Sequence, residues 1–233
     1  MSVPSHIFRE YDVRGVVERD LTDETVSVLG RAFGTWLRRR GIARATLGGD
    51  CRLSSGRFMD LVAAGMQACG VEILDVGTVP TPLLYFSMFD QDVDAGVMVT
   101  GSHNPKDFNG FKLCADRTAI YGEAIQEVRR IAESGDFETG DAPRTRIDVL
   151  PAYRRRLVSD ARLGPRRPRI VVDAGNGTGG VVAVPLLRDL GFDVVPLFCE
   201  MDGNFPNHHP DPTVPDNLAD LQREVLRRRS EEH

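Results

Sequence analysis

Short apolar runs alternate with helix-period segments along this chain, and glycines mark the breaks between them. That alternation favours an α/β architecture over a bundle or a sandwich. Thr22 can cap a helix that carries Val26, Leu29, Phe33, Trp36 and Leu37 on one side, with Gly41 past its end. A strand over 45–48 leads into a loop over 49–54, then into a helix with Phe58, Leu61, Val62, Met66 and Cys69 inward and Gly70 as its stop. The spacing next predicts a strand over 71–76, a helix capped by Thr81 with Pro82 at its first position, and a strand over 95–99. A strand over 111–114 and a helix over 123–133 follow.

Between 134 and 146 the chain turns polar and loses its period, which places a domain boundary there, dividing 1–145 from 146–233. Beyond it the pattern predicts a helix over 151–161, a strand over 169–172, a glycine-rich turn, a helix to Leu190 and a strand over 193–198. A loop rich in Pro, Asn and Asp over 200–215 precedes a helix over 217–229. A βαβ scheme requires another strand after that helix, and none follows. The expectation is two consecutive three-layer α/β domains with mixed sheets, the second incomplete.

A length of 233 residues suffices for two cores, and 41% hydrophobic with 27% charged residues is ordinary for a globular chain. The formal charge of −5 argues against a nucleic-acid partner. Basic runs at 38–40, 154–156 and 227–229 fall in helical patterns and read as solvated faces. Four widely spaced cysteines without a C-x-x-C pair fit reduced thiols in the cytoplasm. Residues 1–14 hold no apolar leader segment, and no apolar run approaches the roughly 18 residues of a membrane span. A soluble cytoplasmic protein without a membrane partner is expected.

The chemistry concentrates at Thr100-Gly-Ser-His-Asn-Pro105, directly after the apolar strand. Strand ends are where α/β folds present reactive side chains. Gly101 allows close backbone approach to a ligand, Asn104-Pro105 fixes a turn, and consecutive amides there can cradle an anion. His103, Lys106 and Lys112 add polar and positive groups. A serine in that setting suits phosphoryl chemistry, whereas the bland alternative is a polar connecting turn. A serine hydrolase is the other functional reading, but the segment is not a G-x-S-x-G elbow and shows no separate base-and-acid pair.

Together with Phe108-Asn-Gly-Phe-Lys112, this run resembles the active-serine loop of the α-D-phosphohexomutases, closest to the bacterial phosphomannomutase/phosphoglucomutase branch. Phe8-Arg-Glu-Tyr-Asp-Val-Arg-Gly15, Gly77-Thr-Val-Pro-Thr-Pro82, Asp173-Ala-Gly-Asn-Gly177 and the run from Asp202 to Pro212 resemble further motifs of that family, in the family's order. The resemblance implies that Ser102 carries a phosphoryl group, donates it to a hexose 1- or 6-phosphate, and recovers the other phosphoryl group from a bisphosphorylated sugar. It implies Mg²⁺ held in part by the phosphate on Ser102, with the remaining metal ligands absent from this chain, since no Asp-Gly-Asp run occurs. By the same resemblance Lys112 is the candidate base and Arg14 an electrostatic group, because a guanidinium does not give up its proton. His103 would orient the site, and Tyr11 and Asn104 would join Arg14 in touching substrate. Gly101 favours the mannose/glucose branch over the glucosamine-phosphate branch. The family's chains are longer, which leaves a non-catalytic binding or regulatory fragment as the alternative function.

Three further motifs carry readings of their own. Gly175-Asn-Gly-Thr-Gly-Gly180 satisfies G-x-G-x-x-G after a strand, with Glu200 about twenty residues on, and so reads as a remote dinucleotide-binding alternative. His208 and His209 near Asp202 and Asp211 suggest a metal, yet their spacing matches no zinc pattern and Pro206 and Pro210 favour a rigid loop. Asp50 and Arg52 sit in a strand-end loop that resembles a family motif, but Gly49 stands where an arginine is common, which puts that loop's contribution in doubt.

Overall fold

The computed structural model describes residues 3–230; readings that rest on residues 1–2 or 231–233 lie outside the described residues. The chain forms two compact units, Met1–Ser102 with Lys106–Val149, and His103–Pro105 with Leu150–His233.

In the first unit, strands β1 (Val13–Val16), β2 (Arg44–Gly49), β3 (Glu72–Thr78), β4 (Ala95–Val99), β5 (Phe108–Ala115), β6 (Thr118–Ala119) and β7 (Arg144–Arg146) make one mixed sheet. Its order is β1-β5-β4-β2-β3-β7, with β6 paired to β5. The middle strands β4, β2 and β3 run parallel, while β5 lies antiparallel to both β4 and β1. Helices α1 (Asp23–Arg38), α2 (Ser55–Gln67) and α4 (Glu123–Ser134) pack on one face. There Leu29, Phe33, Leu37, Phe58, Val62, Met66, Ile125 and Val128 join Leu47, Ile73, Val97 and Phe111 in a dry core. Gly30 and Gly65 let α1 and α2 touch along their backbones; a Cβ on Gly30 would stand 2.6 Å from the Val62 carbonyl oxygen. Helix α3 (Thr81–Asp90) covers the other face, with Met88 against Gly96.

Several local expectations change. Helix α3 begins at Thr81 itself, capped by extended Pro80 without a side-chain bond, so Pro82 is its second residue. A proline fits there because the first N–H groups of a helix need no intrahelical partner. Strand β5 starts at Phe108 because Phe108–Gly110 pair with β1, and β1 was not anticipated from its four residues. Strand β7 lies inside the segment read as polar linker. Arg144 there donates to Asp75 Oδ2 (2.7 Å) and Arg146 to Asp75 Oδ1 (3.1 Å), so buried charge on β3 rather than apolar period holds it.

The second unit pairs β8 (Arg169–Asp173) and β9 (Asp193–Leu197) in a two-stranded parallel sheet. Helices α5 (Leu150–Asp160), α6 (Gly180–Asp189) and α7 (Ala219–Arg228) accompany it, α7 being preceded by a 3₁₀ turn over Pro215–Leu218. No helix among the described residues is long and apolar enough to cross a membrane.

Candidate active site around Ser102

Strand β4 delivers Ser102 at its carboxyl end, next to the loop that follows the neighbouring β2. Ser102 is exposed and adopts a left-handed backbone (φ +52°), a conformation that costs a non-glycine residue on the order of 1 kcal/mol. The loop is held from beneath. Asp50 Oδ2 accepts from Thr100 Oγ1 (2.8 Å) and from the Gly101 amide (3.1 Å), and Thr100 Oγ1 accepts in turn from the Ser102 amide (3.0 Å). Asp50 Oδ1 accepts from the Arg52 amide and from Ser55 Oγ, which ties the same carboxylate to the start of α2. Arg52 Nη2 donates to the Ser102 carbonyl (2.9 Å) and Nη1 to the Phe108 carbonyl (3.0 Å). Only 1% of the Arg52 side chain is exposed. Burial pushes its guanidinium down from the ordinary value, Asp50 opposes that shift, and the nearby Arg14 charge adds to it.

Arg14 and Lys112 reach this region through strand register. Arg14 on β1 faces Gly110 on β5, whose carbonyl accepts the Thr100 amide (2.9 Å). Arg14 donates to buried Asp12. Lys112 lies two residues further on the same strand, opposite Met98, and so shares the sheet face of Gly110 and Arg14. Its ammonium stands 5.7 Å from the ring centroid of Tyr11, a cation–π contact, and Tyr11 is 59% exposed. Beyond Lys112, burial pushes Cys114 up to about 11 and its neighbour Tyr85 up to about 12, so neither ionises near neutrality. The structure therefore places Arg14 on β1 and Lys112 on β5, with Tyr11 just ahead of β1 and against Lys112. His103 is exposed and Asn104 half-buried in the turn just after Ser102.

Sequence reasoning noticed Asp50, Arg52, Thr100 and Asn109 within motifs but gave none of them a role in the site. Asn109 donates to Ser54 Oγ and Ser55 Oγ, linking β5 to the head of α2. The available signal was an Asp-x-Arg step directly after an apolar strand. Gly49 itself packs against Met59, whose sulfur would stand 2.5 Å from an added Cβ.

The glycine-rich turn of the second unit is occupied by its own chain. Asn176 donates through Nδ2 to the Glu200 carbonyl and through its amide to the Phe198 carbonyl, and accepts from Asn207. His208 Nε2 lies 3.1 Å from Asp173 Oδ2, and its ring meets Phe198 edge-on. Among the described residues no group of three or more His, Cys, Asp or Glu is placed to hold a metal ion.

Ser102 thus lies in a loop at a strand end, in the first of two consecutive α/β units. The model for phosphoglucomutase/phosphomannomutase alpha/beta/alpha domain I matches residues 5–139, and that for domain II matches residues 151–231. The chain belongs to the phosphoglucomutase/phosphomannomutase family. It is 45% identical over 223 residues to a phosphoglucomutase of Neisseria gonorrhoeae, covering 94% of this chain and 48% of that protein. It is 43% identical over 224 residues to a phosphomannomutase/phosphoglucomutase of Pseudomonas aeruginosa, covering 96% and 48%. A solved phosphoglucomutase/phosphomannomutase family protein from Burkholderia thailandensis superposes with a TM-score of 0.94 at 40% identity, over 99% of this chain and 52% of that one. The chain thus spans about half the length of the curated relatives it matches.

Proposed function

We propose that this chain carries the phosphoserine part of a phosphohexomutase site acting on mannose or glucose phosphates. Ser102 Oγ holds a phosphoryl group; its P–O bond breaks as a hexose-phosphate hydroxyl oxygen bonds to phosphorus. The bisphosphorylated sugar then returns its other phosphoryl group to Ser102. Lys112 exchanges the hydroxyl proton, Arg14 opposes the developing negative charge, and His103 orients the loop. Tyr11 and Asn104, with Arg14, contact the sugar phosphate. The observation that supports this most is Ser102 at the end of β4, its backbone fixed on both sides, with Lys112 and Arg14 on the adjoining strands.

Mg²⁺ would meet the phosphate of Ser102. The carboxylate beneath the loop, Asp50, already accepts from Thr100, Gly101, Arg52 and Ser55, and no donor cluster exists among the described residues. The residues present do not fit a complete metal site, so no step is routed through one. We accordingly propose that the chain by itself does not turn over, which keeps the binding-fragment reading alive. The domains we propose are 1–145 and 146–233; the compact units part between Val149 and Leu150. The cytoplasmic reading is supported by the wide spacing of the four cysteines, without a C-x-x-C pair.

The test is intact mass after incubation with glucose 1,6-bisphosphate. The unsubstituted chain gains one phosphoryl group and Ser102→Ala gains none; equal gain, or none in either, removes Ser102 as the carrier. Conversion of mannose 1-phosphate to the 6-phosphate by this chain would refute the lack of turnover.

A further inference from the structure

Ser102 is held in an unfavourable backbone conformation by partners fifty residues away in sequence. Its amide is fixed by Thr100 Oγ1, which is itself fixed by Asp50, and its carbonyl is fixed by Arg52. The two charges that close this arrangement lie 3.3 Å apart, the Arg52 side chain sealed from solvent and the Asp50 side chain 14% exposed. The loop rests directly on the guanidinium: a Cβ on Gly101 would stand 2.4 Å from Arg52 Nε. Breaking a buried charge pair from one side leaves the other charge uncompensated, so neither residue can be lost without moving what rests on it.

We propose that Asp50 and Arg52 are positioning residues that fix the direction of the Ser102 hydroxyl. This rests on Ser102 being the phosphoryl carrier. Arg52 looks like a cation for an incoming phosphate, yet its Nη groups are spent on two backbone carbonyls, those of Ser102 and Phe108. Its work is geometric. In-line transfer requires the donor oxygen and acceptor hydroxyl within a narrow range of distance and angle, and the left-handed turn at Ser102 sets where Oγ lies. Asp50 also holds the head of α2 through Ser55, so the loop is referenced to a helix end and not to the strand alone.

The experiment is ¹⁵N relaxation on the whole chain for the unsubstituted protein, Arg52→Met, Arg52→Lys and Asp50→Asn, paired with the rate of phosphoryl uptake from glucose 1,6-bisphosphate. The Ser102 amide is expected near an order parameter of about 0.85 in the unsubstituted chain and below about 0.6 in Arg52→Met, with Val97 and Met98 unchanged. Uptake per folded molecule falls by about tenfold to a hundredfold in step. Arg52→Lys restores little, because one ammonium cannot span two carbonyls as a planar fork does. Should Arg52→Met lose its fold, Asp50→Asn carries the test, since an amide cannot accept from Thr100, Gly101, Arg52 and Ser55 alike. A Ser102 amide already mobile in the unsubstituted chain, or unmoved by the substitutions, overturns the positioning role. Loosening of Ser102 without phosphoryl uptake in any form, the unsubstituted chain included, leaves the positioning of the loop standing and counts against the mutase reading alone.

Discussion

The two compact units use the same α/β grammar and reach different degrees of closure. In the first, helices cover both faces of a seven-stranded sheet, and Leu29, Phe33, Phe58 and Phe111 are sealed from solvent. In the second, α5 and α7 bury no residue, and its buried hydrophobic residues among those described are four valines, Val171, Val182, Val184 and Val194. A two-stranded parallel pair offers too little area to close a core, because parallel strands need helices on both faces. Stability is therefore concentrated in the unit that bears Ser102, Arg14 and Lys112.

The sharpest way to break this comparison is Phe33→Ala. Removing that fully buried ring costs the first unit about 3–5 kcal/mol. Urea unfolding followed through Trp36, the chain's only tryptophan, reports that unit alone. Its midpoint moves, while an earlier change in far-UV circular dichroism from the second unit stays in place. One shared transition for both probes would mean that the units unfold together.

A smaller effect sharpens the contrast on the acid side. Asp20 closes the turn between β1 and α1, and Arg19 together with the Val16 amide holds its carboxyl well below the usual carboxylate range. A group depressed in the folded state lends stability that is present above its unfolded value near about 4 and lost as pH falls below it. Asp20→Asn should flatten the loss of the Trp36 midpoint below that pH; an unchanged slope would place the acid sensitivity elsewhere.

The smallest effect belongs to the second unit. Glu224 on α7 is held down to about 2 by Arg227 and Arg228, but the pairs are at the surface. Glu224→Gln should leave the early dichroism change where it is; a clear shift would show that charge, not its few valines, keeps this unit folded.

The α/β alternation was legible because helix period and strand-end glycines are local signals. Ser102, Tyr11, Arg14 and Lys112, the residues of the proposed site, were nominated through motifs written in consecutive residues. Strand β7 was not legible, since Arg144-Thr145-Arg146 has no apolar pattern and owes its place to Asp75. Asp50 and Arg52 were given no role because Gly49 stands where the family motif commonly has an arginine. Only the fold reveals that the Arg52 guanidinium is sealed beneath a serine fifty positions later. Thr81 misled as a cap because Pro80, already extended, ends the preceding segment one residue earlier.

Strand β7 has a consequence for anyone dissecting the protein. It is the last strand of its sheet and covers the free edge of β3, whose interior residues Ile73–Gly77 are buried. The family match for the first domain stops at residue 139, five positions short of that cover. A piece cut there would bare a row of unpaired amides and carbonyls on a largely buried strand, an open template for other chains. Cut after Val149, it keeps its selvedge and stays single.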